Sequence, residues 1–391
     1  MSTDTRWLLT PSGQQAGGQY IDATLRARAA ERGMLSRLTH AGDFPRQRVE
    51  AIRSSDPDGL VNELYYRRGW TDGLPIIAPT LSRVDAALEH ISLARDHVIA
   101  ELDPLRGLAT LEKVVANAVM AGCTPALIPL VVAAVQAVAR PEFNLRGVQT
   151  TDENVAPVLI FSGPAAAELD INHSFGCLGP GHRGGATVGR ALRFVMANIG
   201  GGWPGAVSLA GLGQPARFTL CFAEDEVGSP WPSLREEYGF AREDNVLTVL
   251  RAESVCNVTG GLAEVASIMG SAVSAFSMPY GGYVTVVLSP FTARQLAQRG
   301  WSKDDVKTWL HQQGRVLVAD FEQFWLRKET IEAANWPVWL RGDAATSALP
   351  VVERSSDITL VVAGGDLPIA QQAYLPTWGF PVCRLHQRLA L

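Results

Sequence analysis

The chain has 391 residues, 47% of them hydrophobic and 19% charged, which is enough apolar content for one large core or two smaller ones. A net charge of -5 with no basic block excludes the concentrated positive patch that nucleic-acid recognition needs. The N-terminal MSTDTRWLLTPSGQQAGG lacks the apolar segment of a secretion signal, and no run of about 18 uncharged apolar residues follows, so no membrane partner is expected and the cytoplasm is the expected compartment.

Residues up to about Ser55 are helical in pattern but rich in Arg, Ala, Gln and Gly. They read as a helical N-terminal extension, residues 1–55, that wraps the body or joins a neighbouring copy, so a homo-oligomer is expected. From Asp56 helices and strands alternate. A helix is predicted over Gly59 to Arg68, an extended segment at LPIIAPT, a helix from Ser82 to His90, and a hydrophobic helical pair from Leu111 to Ala139 broken at Thr124-Pro125. A buried strand, APVLIFSG, then leads into a glycine-rich loop and a further helix. Strands follow at RFTLCFAE, NVLTVLRA, YVTVVLSP and DITLVVAGG, with helices near Leu262 to Ala275, Thr292 to Arg299 and Lys303 to Gln312. This alternation predicts an α/β fold, with a mixed, largely buried sheet flanked by helices on both faces. The GGGWPG sequence near Gly200 to Pro204 marks a boundary between a first α/β half, 56–202, and a second, 203–391, and the two halves are candidates for related α/β units.

The stretch from Ile171 to Gly202 is the densest in reactive groups. Its glycines, Gly179 and Gly181 among them, let a ligand approach the main chain. From Thr187 the spacing turns helical, with Val188, Ala191, Leu192, Val195 and Ile199 on one side and Arg190 and Arg193 one turn apart. A helix N-terminus with Arg183 and Arg190 nearby suits a carboxylate or phosphate. The plainer alternative is a tight connection with solvated or ion-paired arginines.

Five cysteines, odd in number and never spaced as CxxC, predict free thiols and neither a disulfide framework nor a zinc ribbon. Cys123 and Cys221 read as small buried hydrophobes. Cys177 has glycine, histidine and arginine as neighbours, which predicts a lowered pKa and a reactive thiolate. His173, Cys177 and His182 also form a conceivable transition-metal set for Zn, Fe or Cu, with Glu224 as a further ligand, although the spacing matches no standard zinc motif. Asp72, in the Thr71-Asp72-Gly73 turn, is either a site carboxylate or an Asx-turn residue. Glu224, in CFAEDEVGSPW, is either a general base or ligand, or one of three solvated acids.

These segments together resemble a poorly characterised bacterial family encoded beside small UGSC-motif (seleno)proteins. The matching residues are TDGLPIIAPT from Thr71, EKVVANAVMAGCTP from Glu112, FNLRGVQTTDENVAPVLIFSGP from Phe143, LGPGHRGGATVGRALRFVMANIGG from Leu178, FTLCFAEDEVGSPW from Phe218 and SPFTARQLAQRGWSKDDVKTWL from Ser289, over about Leu60 to Gly379. The family's loop pattern is similar to Gly179, Pro180, Gly181, Arg183, Ala186, Thr187, Gly189, Arg190 and Ala191. His173, Cys177 and His182 fall outside it, and the ending PVCRLHQRLAL departs from the family. By association with a (seleno)cysteine partner, the resemblance implies thiol or redox chemistry.

Three functions follow as expectations. The first is an enzyme, an oxidoreductase or lyase, acting on a small carboxylate-bearing metabolite derived from a thiol or amino acid, in a biosynthetic pathway. Arg183, Arg190, Thr187, Gly179, Gly181 and Asn117 would hold that substrate, Cys177 would be nucleophile or redox thiol, and Asp72 or Glu224 acid or base. The second is a metal-dependent enzyme using His173, Cys177 and His182. The third is a non-catalytic subunit that positions a small thiol or selenol protein through its tryptophan-rich segments.

Overall fold

The computed structural model describes residues 4–9, 11, 49–271, 282–321, 337–340, 348–379 and 383–389. Helices and strands are interleaved along the chain, as an α/β fold requires. Among the described residues the strands are divided among five sheets, two of four strands and three of two. Within the expected N-terminal helical extension, the described parts are strands: Asp4–Leu9 pairs antiparallel with Val49–Ser54. The remainder of that extension, 12–48, lies outside the described residues, as does the 272–275 end of the helix predicted from Leu262.

The chain forms two compact units that do not divide it at one point. The first takes 1–154, 182–221 and 387–391, and the second takes 155–181 and 222–386. The glycine-rich loop and the helix after it therefore belong to different units, with the boundary between Gly181 and His182.

The first unit is mainly helical. Leu111–Ala121 is buried at almost every position and ends at Gly122, whose φ of 95° closes the helix in the left-handed conformation that glycine adopts without a Cβ penalty. A 3-10 turn at Pro125–Leu127 starts the second member of the pair, Ile128–Val138, where proline at the first turn sacrifices no helical hydrogen bond. Both pack on the sixteen-residue helix Arg183–Asn198. That helix buries Val188, Ala191, Leu192 and Val195, the stripe its spacing predicts. It also buries Gly185, where a Cβ would lie 2.6 Å from the Cys221 carbonyl oxygen, which is backbone and unable to give way. Gly185→Ala is expected to cost about 1–3 kcal/mol, the usual penalty of overpacking. A chemical-denaturation midpoint within error of the parent would contradict this close approach.

In the second unit, Ala156–Ser162 and Asn245–Ala252 pair antiparallel in the middle of one four-stranded sheet. In the other, Ile358–Val362 runs parallel to Val284–Leu288, which pairs antiparallel with Gln371–Leu375. That sheet, with the helices Leu262–Ser271 and Lys303–Gln313, encloses a core around Val265, Met269, Val286, Leu310 and Leu360. Among the described residues, no single helix is long and apolar enough to cross a membrane.

Candidate functional site

Each expected site residue in the first unit has a definite partner. Asp72 and Arg190 form a bidentate pair, Nε to Oδ2 at 2.7 Å and Nη2 to Oδ1 at 2.9 Å, and both side chains are mostly buried. Arg190 Nη2 also donates to the Pro75 carbonyl at 2.9 Å, and the guanidinium lies 4.9 Å from the centre of the Phe194 ring. Asp72 Oδ1 additionally accepts from the Leu74 amide, so the Asx-turn role holds together with the ion pair. Arg190 is thus neutralised within the protein, in contrast to the expected open anion ligand. Thr187 donates its hydroxyl to the Arg183 carbonyl at 2.8 Å, the common back-bond of a helical threonine. Arg183 and the N-cap residue His182 are exposed at the start of the helix.

Asn117 is fully buried on the helix Leu111–Ala121. Its Nδ2 donates to the carbonyls of Pro11 and Lys113, both at 2.9 Å, and its Oδ1 accepts from Asn198 Nδ2 at 2.8 Å. Asn198 Nδ2 donates in turn to the Trp70 carbonyl at 3.0 Å.

Asn198, with Asp72 and Trp70, borders a cavity of about 560 Å³ that lies wholly within the first unit. Its walls come from the turn Gly69 to Asp72, the last turns of the helix Arg183–Asn198, and the loop from Gly202 to Phe218. Most of the lining is apolar, with Trp70, Phe194, Trp203 and Phe218 providing rings. Two guanidinium groups interrupt it, Arg193 from the helix and Arg217 from the loop.

No carboxylate lies within 4.0 Å of either guanidinium among the described residues. Arg193 Nε donates to the Arg217 carbonyl at 3.1 Å, and its Nη1 touches the Met196 sulfur at 3.9 Å. Arg217 Nη2 donates to Ser208 Oγ at 2.8 Å. Burial, and then the neighbouring Arg217 charge, pull Arg193 from 12.5 down to about 9, and burial lowers Arg217 as well. Two partly buried cations of one sign, without a counter-charge, are costly unless an anion joins them. Protein-family models, curated proteins and solved structures yield no match to this chain. The reading of the site therefore rests on its own chemistry.

The expected groups of the second unit are arranged differently. Cys177 is buried, and this pushes its thiol from 9.0 up to about 11, outweighing hydrogen bonds from the Leu178 and Cys177 backbone. That corrects the expected lowering, which assumed cationic neighbours. The rise cuts the thiolate fraction near neutral pH about a hundredfold. Alkylation of the native protein by iodoacetamide at pH 7.5, followed by peptide mapping, should leave Cys177 about a hundredfold slower than an exposed thiol and accelerating as pH approaches 11. Fast labelling at pH 7.5 would contradict this burial.

His173 Nδ1 is 3.6 Å from Asp225 Oδ1, longer than a hydrogen bond, while that oxygen accepts from the Gly228 amide at 2.8 Å. Among the described residues, no three His, Cys, Asp or Glu side chains are gathered in a way that could hold an ion, and of the expected metal set His173 and Cys177 belong to the second unit and His182 to the first. Gly179 and Gly181 lie in the exposed loop of this unit, where the Gly179 amide donates to the Gly176 carbonyl at 2.8 Å.

Glu224 is sealed in the second unit, its side chain exposing none of its surface. One oxygen accepts from Ser162 Oγ and from the Leu234 amide, both at 2.8 Å, and Lys303 Nζ lies 3.9 Å from the other. Burial raises its pKa, with Lys303 and the two hydrogen bonds opposing the rise. The acceptor role at the start of the helix Leu234–Glu237 accounts for its position. It is not one of three solvated acids: Glu226 is bound by Arg235, with Nε to Oε1 at 2.8 Å.

Sequence reasoning missed Arg193, Arg217 and Asn198 as a group. Arg193 stands one turn beyond Arg190 on the same helix, and that spacing is a usable signal. Arg217 carries none, because it comes from a loop whose path is set by tertiary contacts, such as the Gly213 amide on Asn154 Oδ1 at 2.7 Å.

Proposed function

We propose that the protein is an enzyme acting on a small carboxylate-bearing metabolite, and that its substrate occupies the cavity of the first unit. The supporting observation is the Arg193 and Arg217 pair, two guanidinium groups without a carboxylate partner among the described residues, in a largely apolar pocket. Anion recognition moves from the expected Arg183 and Arg190 to these two residues, because Asp72 already neutralises Arg190. The rings of Trp70, Phe194, Trp203 and Phe218 receive the apolar body of the substrate. In such an enclosure, positioned guanidinium donors stabilise negative charge that grows during a reaction more strongly than water does. Asp72, held by its bidentate pair with Arg190, is the carboxylate among the described lining residues.

Trp70 and Trp203 line the cavity and report its occupancy. Titration with benzoate at low ionic strength should quench tryptophan emission saturably in the parent protein and at least tenfold more weakly in Arg193→Gln. The same saturable response in both proteins would remove the cavity as the anion site.

A further inference from the structure

The charges around the cavity constrain its ligand beyond a single carboxylate. Its ionisable lining consists of Arg193, Arg217 and Asp72. Asp72 is cancelled by Arg190 through two hydrogen bonds, so the two arginines leave a net charge of about two positive units facing the cavity. A lone carboxylate would neutralise one and leave the other uncompensated.

The donors give the same answer. Each guanidinium carries five N–H groups. Arg193 uses Nε on the Arg217 carbonyl and brings Nη1 only near a thioether, while Arg217 uses Nη2 on Ser208. The Ser208 oxygen accepts that bond and keeps its own hydrogen to donate. More donors remain than the two oxygens of one carboxylate can accept.

We propose that the cavity binds a dianionic head group, a phosphate monoester or a dicarboxylate, carried on an aromatic body. Arg193, Arg217 and the Ser208 hydroxyl hold the head group, and the rings of Trp70, Phe194, Trp203 and Phe218 hold the body. This rests on the reading of the cavity as the substrate's anion site.

Calorimetric titration of the full chain at pH 7.5 with benzoate, phthalate, phenyl phosphate and inorganic sulfate tests it. Phenyl phosphate is a dianion at that pH, its second pKa being about 6. Phenyl phosphate or phthalate is expected to bind at least tenfold more tightly than benzoate, and at least tenfold more tightly than sulfate. The preferred dianion identifies the head group as phosphate or dicarboxylate. Arg217→Gln should reduce the advantage over benzoate to less than threefold while benzoate still binds, and Arg217→Lys, which keeps the charge, should retain most of it.

Benzoate binding as tightly as both dianions would overturn the inference while leaving the anion site standing. An advantage unchanged in a folded Arg217→Gln protein would overturn it too. Sulfate matching phenyl phosphate would overturn the aromatic body. Failure of all four probes to bind would overturn the cavity reading itself.

Discussion

Arg193→Met should give a protein that is more stable than the parent and unable to bind an anion. Methionine keeps much of the apolar stem and removes a charge that burial and Arg217 both disfavour. The Arg217 carbonyl loses one donor, a cost of about 1 kcal/mol. Relief of an uncompensated, partly buried cation is larger, so a net gain of about 1–3 kcal/mol is expected from urea denaturation at pH 7 in a buffer free of organic anions. Arginine keeps its proton in proteins, so the parent relieves the same cost by taking up an anion rather than by titrating. Phenyl phosphate at 100 times its dissociation constant should therefore raise parental stability by about 2.7 kcal/mol and leave the variant unmoved. A variant less stable than the parent, or one stabilised equally by the ligand, would refute the balance described for this pair.

The second large effect lies at the ion pair that ties the Thr71-Asp72-Gly73 turn to the long helix. Asp72→Asn keeps an acceptor for the Leu74 amide and removes only the charge, leaving Arg190 among the Pro75 carbonyl and the Phe194 ring without its carboxylate. The side chains are 15% and 16% exposed, so solvent replaces little of the lost attraction. A loss of about 2–4 kcal/mol is expected, shifted by about 1 kcal/mol below the range for a fully buried pair. A double-mutant cycle of Asp72→Ala and Arg190→Ala should show a coupling of about 1.5–3 kcal/mol. Additivity within about 0.5 kcal/mol would mean that the pair contributes nothing beyond its separate parts. Because Asp72 also lines the cavity and its charge cancels that of Arg190, Asp72→Asn should leave that cation uncompensated beside the site and strengthen benzoate binding.

Elements with strong periodicity were legible in the sequence. The helices Pro57–Arg67, Leu81–Leu88 and Lys303–Gln313 and the strand Asn245–Ala252 lie within a few residues of the predicted positions. The Leu111–Ala121 and Ile128–Val138 pair is broken at Thr124-Pro125, where expected. The strands Cys256–Thr259 and Gln371–Leu375 were not legible, because CNVT and QQAYL carry neither a sustained apolar run nor clean alternation. LPIIAPT is extended, as expected, yet forms no strand: Thr80 makes only an isolated bridge to Leu8. For the site, the residue types were legible and the partners were not. Asp72 and Arg190 were both singled out, 118 positions apart, but nothing local marks them as neutralising each other. The reactive appearance of Cys177 came from polar neighbours in sequence, whereas a thiol's acidity depends on its neighbours in space.

The amide chain from Asn198 through Asn117 to Pro11 gives the cavity wall a fixed polarity. Both hydrogens of Asn198 Nδ2 have acceptors, one of them Asn117 Oδ1, and both hydrogens of Asn117 Nδ2 have carbonyl acceptors. Neither side chain can flip without setting oxygen against oxygen, so the relay has one orientation and Asn198 turns only an acceptor away from it. The last acceptor is the carbonyl of Pro11, next to the N-terminal strand Asp4–Leu9. Removing the first eleven residues, far from the cavity lining in sequence, would therefore strip one acceptor from the buried Asn117 amide and leave the direction of the relay to the carbonyls of Lys113 and Trp70.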